Sequence, residues 1–297
     1  MHIIFLSAIN YADKSQNYGD CIIIDTGIEL VIYDCGSVEH AERVMQYMLE
    51  NNYEKVTFIL SHNDSDHVKG LQYLIDNNKV ERIFTTLLLK YKDRIKKILN
   101  DNRRTLNSIG NSVLEKYDNI AALSGQNLID IYEGEHLLPK GLTFVGPGLE
   151  QMLEAVAKNI NKQESDIING ETAVNATSLQ IAIDMDNDKK MLLCGDASYT
   201  LIQGKLCSYN YIQLPHHGKV AHAEKIFGEC GPNDTHVTYI VSDNTGNSNG
   251  GSDNLTQIAR GHRVLNTKNG DVTPMSHRQK NTYNGLAALP LGYYGEL

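Results

Sequence analysis

The stretch "ILSHNDSDHVKGL", residues 59 to 71, places His62, Asp64, Asp66 and His67 within six positions, directly after an apolar run. Neutral imidazole combined with carboxylate is ligand chemistry suited to Zn, Mn or Fe. The four side chains can converge only if the chain turns sharply after the run, which "NDS" readily allows. Converging carboxylates and imidazoles are unfavourable without a compensating charge, so a divalent cation is the natural partner. Two later stretches repeat the arrangement: "MLLCGDAS" delivers Asp196, and "IQLPHHG" delivers His216 and His217, each after an apolar run. One metal needs three or four ligands. These three stretches offer seven candidates, enough for two metals bridged by a carboxylate and a water or hydroxide.

The elements that must position these residues are readable from pattern. "HIIFLSAI", "CIIIDTG" and "LVIYDCG" are short β-branched runs closed by turn residues, and their direct succession predicts an antiparallel or mixed sheet. "SVEHAERVMQYMLENN" reads as a helix, with Ser37 as N-cap and Ala41, Val44, Met45 and Met48 at helical spacing. "KVTFILSH" is the strand that ends in the cluster, "VKGLQYLIDNN" a helix and "VERIFTTLLL" a strand. Residues 92 to 123 read as helical. Lys90, Lys92, Arg94, Lys96, Lys97, Arg103 and Arg104 make this the densest basic run, either a solvated helix face or a phosphate-facing lip. In the second half, "LTFVGPG" is a strand and "LEQMLEAVAKNINK" a helix, and "TSLQIAIDM" and "KKMLLCGDA" form a hairpin through "DND". "YIQLPHHG" and "HVTYIVSD" are strands, each with a helix after it. The expected architecture is α/β (α+β): two mixed sheets packed together and covered by helices on both faces, in one domain over residues 1–297.

The motifs in this order resemble the metallo-β-lactamase superfamily, whose signature runs HxHxDH, a histidine, a bridging Asp and a final His. "HNDSDH", with Asp in the second position, is similar to the hydrolase domain of ComEC-type DNA-uptake proteins. So are "GDCIIIDTGIELVIYDCGS", "NATSLQIAI", "LLCGDAS", "LPHHGK" and "RVLNTKNGDV". The resemblance implies a four-layer αββα sandwich and a metal-dependent hydrolase with two divalent ions, Zn or Mn. His62 and Asp64 would hold the first ion, Asp66 and His67 the second, and Asp196 would bridge. Asp66 would also orient the attacking hydroxide. One of His216 and His217 would complete the second metal or contact the substrate oxyanion; His216 is the candidate ligand and His217 the candidate catalytic group. Asn175, Ser178, Lys219 and Ser252 are candidate substrate contacts. The chain departs from the family in two places. Asn175 stands near where many members carry a metal-binding His. The loop "GNSNGGSDN" has no His where relatives have Gly-His-Pro, leaving Ser252, Asp253 or the His216–His217 pair to serve instead.

Composition narrows the function. With 27 Lys and Arg against 36 Asp and Glu, the net charge of −9 disfavours tight, nonspecific binding to long nucleic acid but leaves room for a local basic groove. No apolar run approaches the ~20 residues that span a bilayer, and the first residues lack a signal-peptide pattern, so a cytoplasmic location is expected. Five scattered cysteines with no CxxC suit buried thiols in a reducing compartment. "GNSNG", residues 246 to 250, fits the Gly-x-Ser-x-Gly pattern, but an Asn/Gly-rich loop is not a nucleophile elbow. The tail "NGLAALPLGYYGEL" is either a packed edge or a contact for a lid, a protein partner or a second copy. The favoured activity is a phosphodiesterase or nuclease acting on nucleic acid or nucleotides. The alternatives are an ester, lactone or thioester hydrolase and a metal-poor binding module.

Overall fold

The computed structural model describes residues 1–13, 15–161, 171–230, 236–242, 255, 259 and 261–274. Ser252, Asp253, "GNSNG" and the tyrosine-bearing tail lie outside them. The first sheet is built from β1 (His2–Phe5), β2 (Cys21–Asp25), β3 (Leu30–Cys35), β4 (Val56–Ile59), β5 (Val80–Thr85) and β6 (Leu128–Asp130), side by side in that order. The second comprises β7 (Leu142–Gly146), β8 (Gln180–Asp184), β9 (Lys190–Leu193), β10 (Tyr211–Gln213), β11 (Thr238–Val241) and β12 (Arg263–Asn266), again in chain order across the sheet. In both, the first three strands pair antiparallel and the rest parallel. The two halves of the chain therefore share one topology.

Hydrophobic faces explain the stacking. Ile22, Ile24, Val31, Tyr33 and Ile59 of the first sheet meet Ile181, Ile183, Met191, Leu193 and Ile240 of the second in one buried core. The alternate residues of the first sheet, including Ile23, Ile32 and Phe58, face α1 (Val38–Asn51) and α2 (Ser65–Asp76) through Val44, Met48, Leu71 and Leu74. Leu192, Ile212 and Tyr239 face the helix Val220–Cys230 through Ala223, Ile226 and Phe227. This is the expected αββα sandwich of two mixed sheets. Ser37 caps α1, its side chain accepting from the His40 amide, a contact worth ~1 kcal/mol.

The expected continuous helical stretch from 92 to 123 is instead α3 (Lys92–Leu99), α4 (Leu106–Lys116) and a short helix Asp118–Ala122. Asn100 ends α3 in the left-handed region, and Thr105 caps α4 by accepting from the Ser108 amide. Much of the basic run is already partnered: Lys90 with Glu133, Arg94 with Glu150 and Arg103 with Asp101, while Arg104 donates to the Ile160 carbonyl. Three cysteines are buried, Cys207 is exposed, and all five are free. Among the described residues no helix is long and apolar enough to cross a membrane.

Candidate metal centre

Parallel strands carry their C-terminal ends to one edge of the sandwich, and the candidate residues follow those ends. His62 and the first turn of α2 follow β4, Asp196 follows β9, and His216 and His217 follow β10. One ligand atom from each of His62, His67 and Asp196 lies within 4.8 Å of the others, and the same holds for Asp66, His67 and His217. His62 Nε2, His67 Nε2 and Asp196 Oδ1 are buried with no hydrogen-bond partner. Buried polar atoms are rarely left so. Asp196 sits between the two imidazoles: His67 Nε2 is 3.4 Å from its Oδ1 and His62 Nε2 is 3.9 Å from its Oδ2, with Asp64 Oδ2 3.8 Å from the same His62 nitrogen. Imidazole nitrogens set against the two oxygens of one buried carboxylate are ligand chemistry for divalent cations.

A single carboxylate, Asp34 at the end of β3, orients both imidazoles. His67 Nδ1 lies 2.8 Å from Asp34 Oδ2, which also accepts from the Ser61 hydroxyl at 2.6 Å. The Ser61 oxygen in turn accepts from His62 Nδ1 at 2.9 Å. This network assigns the proton of each ring to Nδ1 and leaves Nε2 to face Asp196. Asp34 sits in the left-handed region (φ 55°), with its other oxygen accepting from the Ser61 amide at 2.8 Å.

The loop before β2 closes against the first turn of α2. The Asp20 amide donates to the Asp66 carbonyl at 3.2 Å, and a Cβ on Gly19 or Gly36 would lie 1.7 or 2.0 Å from that oxygen, so only glycine fits at either position. Asp66 Oδ2 accepts from Asn17 at 2.7 Å and faces His217 Nε2 at 3.3 Å. His217 Nδ1 is held by the Ser242 carbonyl at 2.8 Å and lies 3.2 Å from Asp20 Oδ1. Gln213 bonds Asp20 at 2.6 Å and accepts from the Cys194 and Gly195 amides, tying the two sheets together beneath the site.

Electrostatics follow from this crowding. Burial, reinforced by the neighbouring His67, lowers His62 to about 4 and keeps it neutral. Burial would also lower His67, but Asp196 and Asp34 outweigh it and raise that imidazole well above its usual range. Asp20 and Asp66 do the same for His217. Asp66 and Asp196 are held below the ordinary carboxylate range by these imidazoles despite burial.

The remaining candidates divide. Asp64 is the N-cap residue of α2, yet its carboxylate makes no capping hydrogen bond; it is 42 % exposed and lies 3.8 Å from His62 Nε2. Asn175 bonds Asp196 Oδ2 at 3.4 Å and accepts from Thr172 at 2.6 Å. Ser178, expected at the substrate, is fully buried, donating to the Asn175 carbonyl at 2.7 Å and accepting from the Asp196 amide at 3.1 Å, so it props the Asp196 loop. The Lys219 ammonium, likewise expected at the substrate, lies 2.6 Å from Glu171. His216 Nδ1 is 2.8 Å from the same carboxylate and its Nε2 is 3.8 Å from Asp196 Oδ2. Burial would raise the Glu171 carboxyl, but hydrogen bonds from His216 and His222 bring it down to about 2. Sequence reasoning did not single out Asp20, Asp34, Ser61, Asn17 or Glu171. Asp34 and Asp20 carried the signal that serves elsewhere, an acidic residue beside an apolar strand.

Sheets, layers and edge cluster together define the metallo-β-lactamase fold. The solved metallo-beta-lactamase fold protein YhfI from Bacillus subtilis matches with a TM-score of 0.50 at 13% identity, over 90% of this chain and 96% of that one. Igni18, described as a novel metallo hydrolase from the hyperthermophilic archaeon Ignicoccus hospitalis, gives a TM-score of 0.46 at 11% identity, over 93% and 100% of the two chains. No protein-family model matches the chain, and no curated protein matches its sequence. The likeness to YhfI establishes the fold; the chemistry rests on the residues.

Proposed function

We propose that the chain is a metal-dependent hydrolase of phosphodiesters in nucleotides or nucleic acid, using two divalent ions, Zn or Mn, held on either side of Asp196. The observation that carries this reading is the pair of partnerless buried nitrogens, His62 Nε2 and His67 Nε2, set against the two oxygens of Asp196 between strand ends. His62, Asp64 and Asp196 would hold the first ion, and Asp66, His67, His217 and Asp196 the second. Bound ions would supply positive charge that acidifies a water and neutralises charge developing on the phosphate. The chain's own groups do the rest. Asn17 fixes Asp66, whose side chain is 22 % exposed, so that its ionised carboxylate can accept a hydrogen bond from a water and orient it. Asp34 and Ser61 lock both imidazoles before substrate arrives.

The ligand set favours a phosphodiester over a small ester. The carboxylate-rich set, with Asp64 in place of a histidine, suits oxygen-preferring ions such as Mn as well as Zn. Asp64 and Asp66 lie on the exposed side of the cluster, from which a reacting group would approach. Metal-loaded wild type and Asp196→Ala should be compared on a bis-aryl phosphate and an aryl ester. Turnover of the phosphate that disappears in the variant is expected; a fully loaded protein that cleaves only the ester would overturn the assignment.

A further inference from the structure

We propose that Glu171 is a positioning residue that makes His216 a ligand of the ion on the His62 side, so that the consecutive histidines His216 and His217 serve one ion each. This rests on the metal centre proposed above and supplies the imidazole that the side chain at Asn175 cannot.

Asp196 divides the site. Its Oδ1 faces His67 at 3.4 Å, whereas its Oδ2 lies 3.9 Å from His62 Nε2 and 3.8 Å from His216 Nε2. His216 therefore shares the oxygen that His62 faces, not the one His67 faces. His217 turns the other way, its Nε2 3.3 Å from Asp66. Neighbouring side chains reach both flanks because His216 (φ 50°, ψ 56°) and His217 (φ 53°, ψ 28°) both adopt the left-handed backbone, with ring planes 71° apart. Non-glycine residues rarely adopt that conformation, and strain of this kind concentrates where geometry serves a function.

Glu171 secures one of the two rings. It is 2 % exposed, and its Oε1 lies 2.8 Å from His216 Nδ1, 2.9 Å from His222 Nε2 and 2.6 Å from Lys219 Nζ, three donors from a single short segment. With Nδ1–H committed to the carboxylate, His216 presents its Nε2 lone pair toward Asp196 Oδ2. The pairing repeats, from another loop, what Asp34 does for His67.

The test is a Zn²⁺ titration by calorimetry of wild type, Glu171→Gln, Glu171→Asp, His216→Ala and the Glu171→Gln/His216→Ala double variant, with imidazoles per zinc counted by X-ray absorption. Wild type should bind two ions. Glu171→Gln should weaken one of them about 10–100-fold and leave the other unchanged. Glu171→Asp should recover part of the loss, and the double variant should bind no more weakly than His216→Ala alone. His216→Ala should lower the imidazole count and spare the other ion. It leaves Glu171 paired with His222 and Lys219, so it remains informative should the Glu171 variants fold poorly. Two ions bound with wild-type affinity in both Glu171→Gln and His216→Ala, even with lowered thermal stability, would overturn this inference alone. A wild type that binds no ion would overturn the metal centre as well.

Discussion

The two flanks of Asp196 are built to different standards. On the His67 side both imidazoles are enclosed: His67 and Asp34 are wholly buried, His217 is gripped by a backbone carbonyl and Asp20, and only Asp66, at 22 %, reaches solvent. On the His62 side the imidazole is equally well held, but its neighbour Asp64 is 42 % exposed and uncapped, and Asn175 offers an amide. A preorganised ligand set loses little freedom on binding, whereas an exposed carboxylate must be ordered. One ion should therefore bind tightly and early, and the other more weakly and with more exchange.

The largest effect should come from removing what the flanks share. Asp196→Ala should lower phosphodiester turnover by at least ~10²–10³-fold, the scale of losing a group that acts in the transition state. Next, Asp34→Ala frees both imidazoles at once. It leaves His67 Nδ1, the Ser61 amide and the Ser61 hydroxyl without their acceptor, so chelator-treated protein should lose roughly 1–3 kcal/mol in thermal or urea unfolding. Both ions should also bind about 10–100-fold more weakly, read by calorimetry. Third, acid should weaken the His67 flank more than the His62 flank. His67 and His217 are raised above the usual imidazole range and carry protons near neutrality, whereas His62 is lowered to about 4 and does not. Metal must expel those protons, so apparent affinity rises with pH, about tenfold per pH unit for each proton released. Titrations in buffers of different ionisation enthalpy should report that release for the tighter ion; no proton release would contradict it. Smallest, Asp64→Ala should weaken only the looser ion, by roughly tenfold, and leave unfolding unchanged because its carboxylate caps nothing.

Periodicity and turn chemistry carried most of the fold because strands such as β2 and β3 are β-branched runs closed by Gly or Asp and the long helices carry an apolar stripe. Where they failed, local signals were weak. The three-residue β6 is too short to alternate visibly, and the breaks at Asn100 and Thr105 lie inside a polar stretch that masks them. In the site, clustered ligand types drew attention to His62, Asp64, Asp66, His67, Asp196, His216 and His217; five of these fall in two mutually close groups, with Asp64 and His216 each 3.8 Å from one member. The groups that orient them escaped notice because a single Asp after a strand, or Glu171 beside no obvious motif, looks like any surface acid until the chain folds. Asp34 reaches His67 across 33 positions and Glu171 reaches His216 across 45. Separations of that size are set by sheet register, which sequence spacing alone does not encode.

The central claim is that the partnerless atoms at the strand ends are a two-ion metal centre. Elemental analysis of the purified chain after equilibration with Zn²⁺ or Mn²⁺ and removal of free metal, beside Asp196→Ala treated identically, tests it most directly. The account predicts about two ions per chain in the wild type and neither retained in the variant. A wild type that retains none, or a variant that retains both, would contradict it.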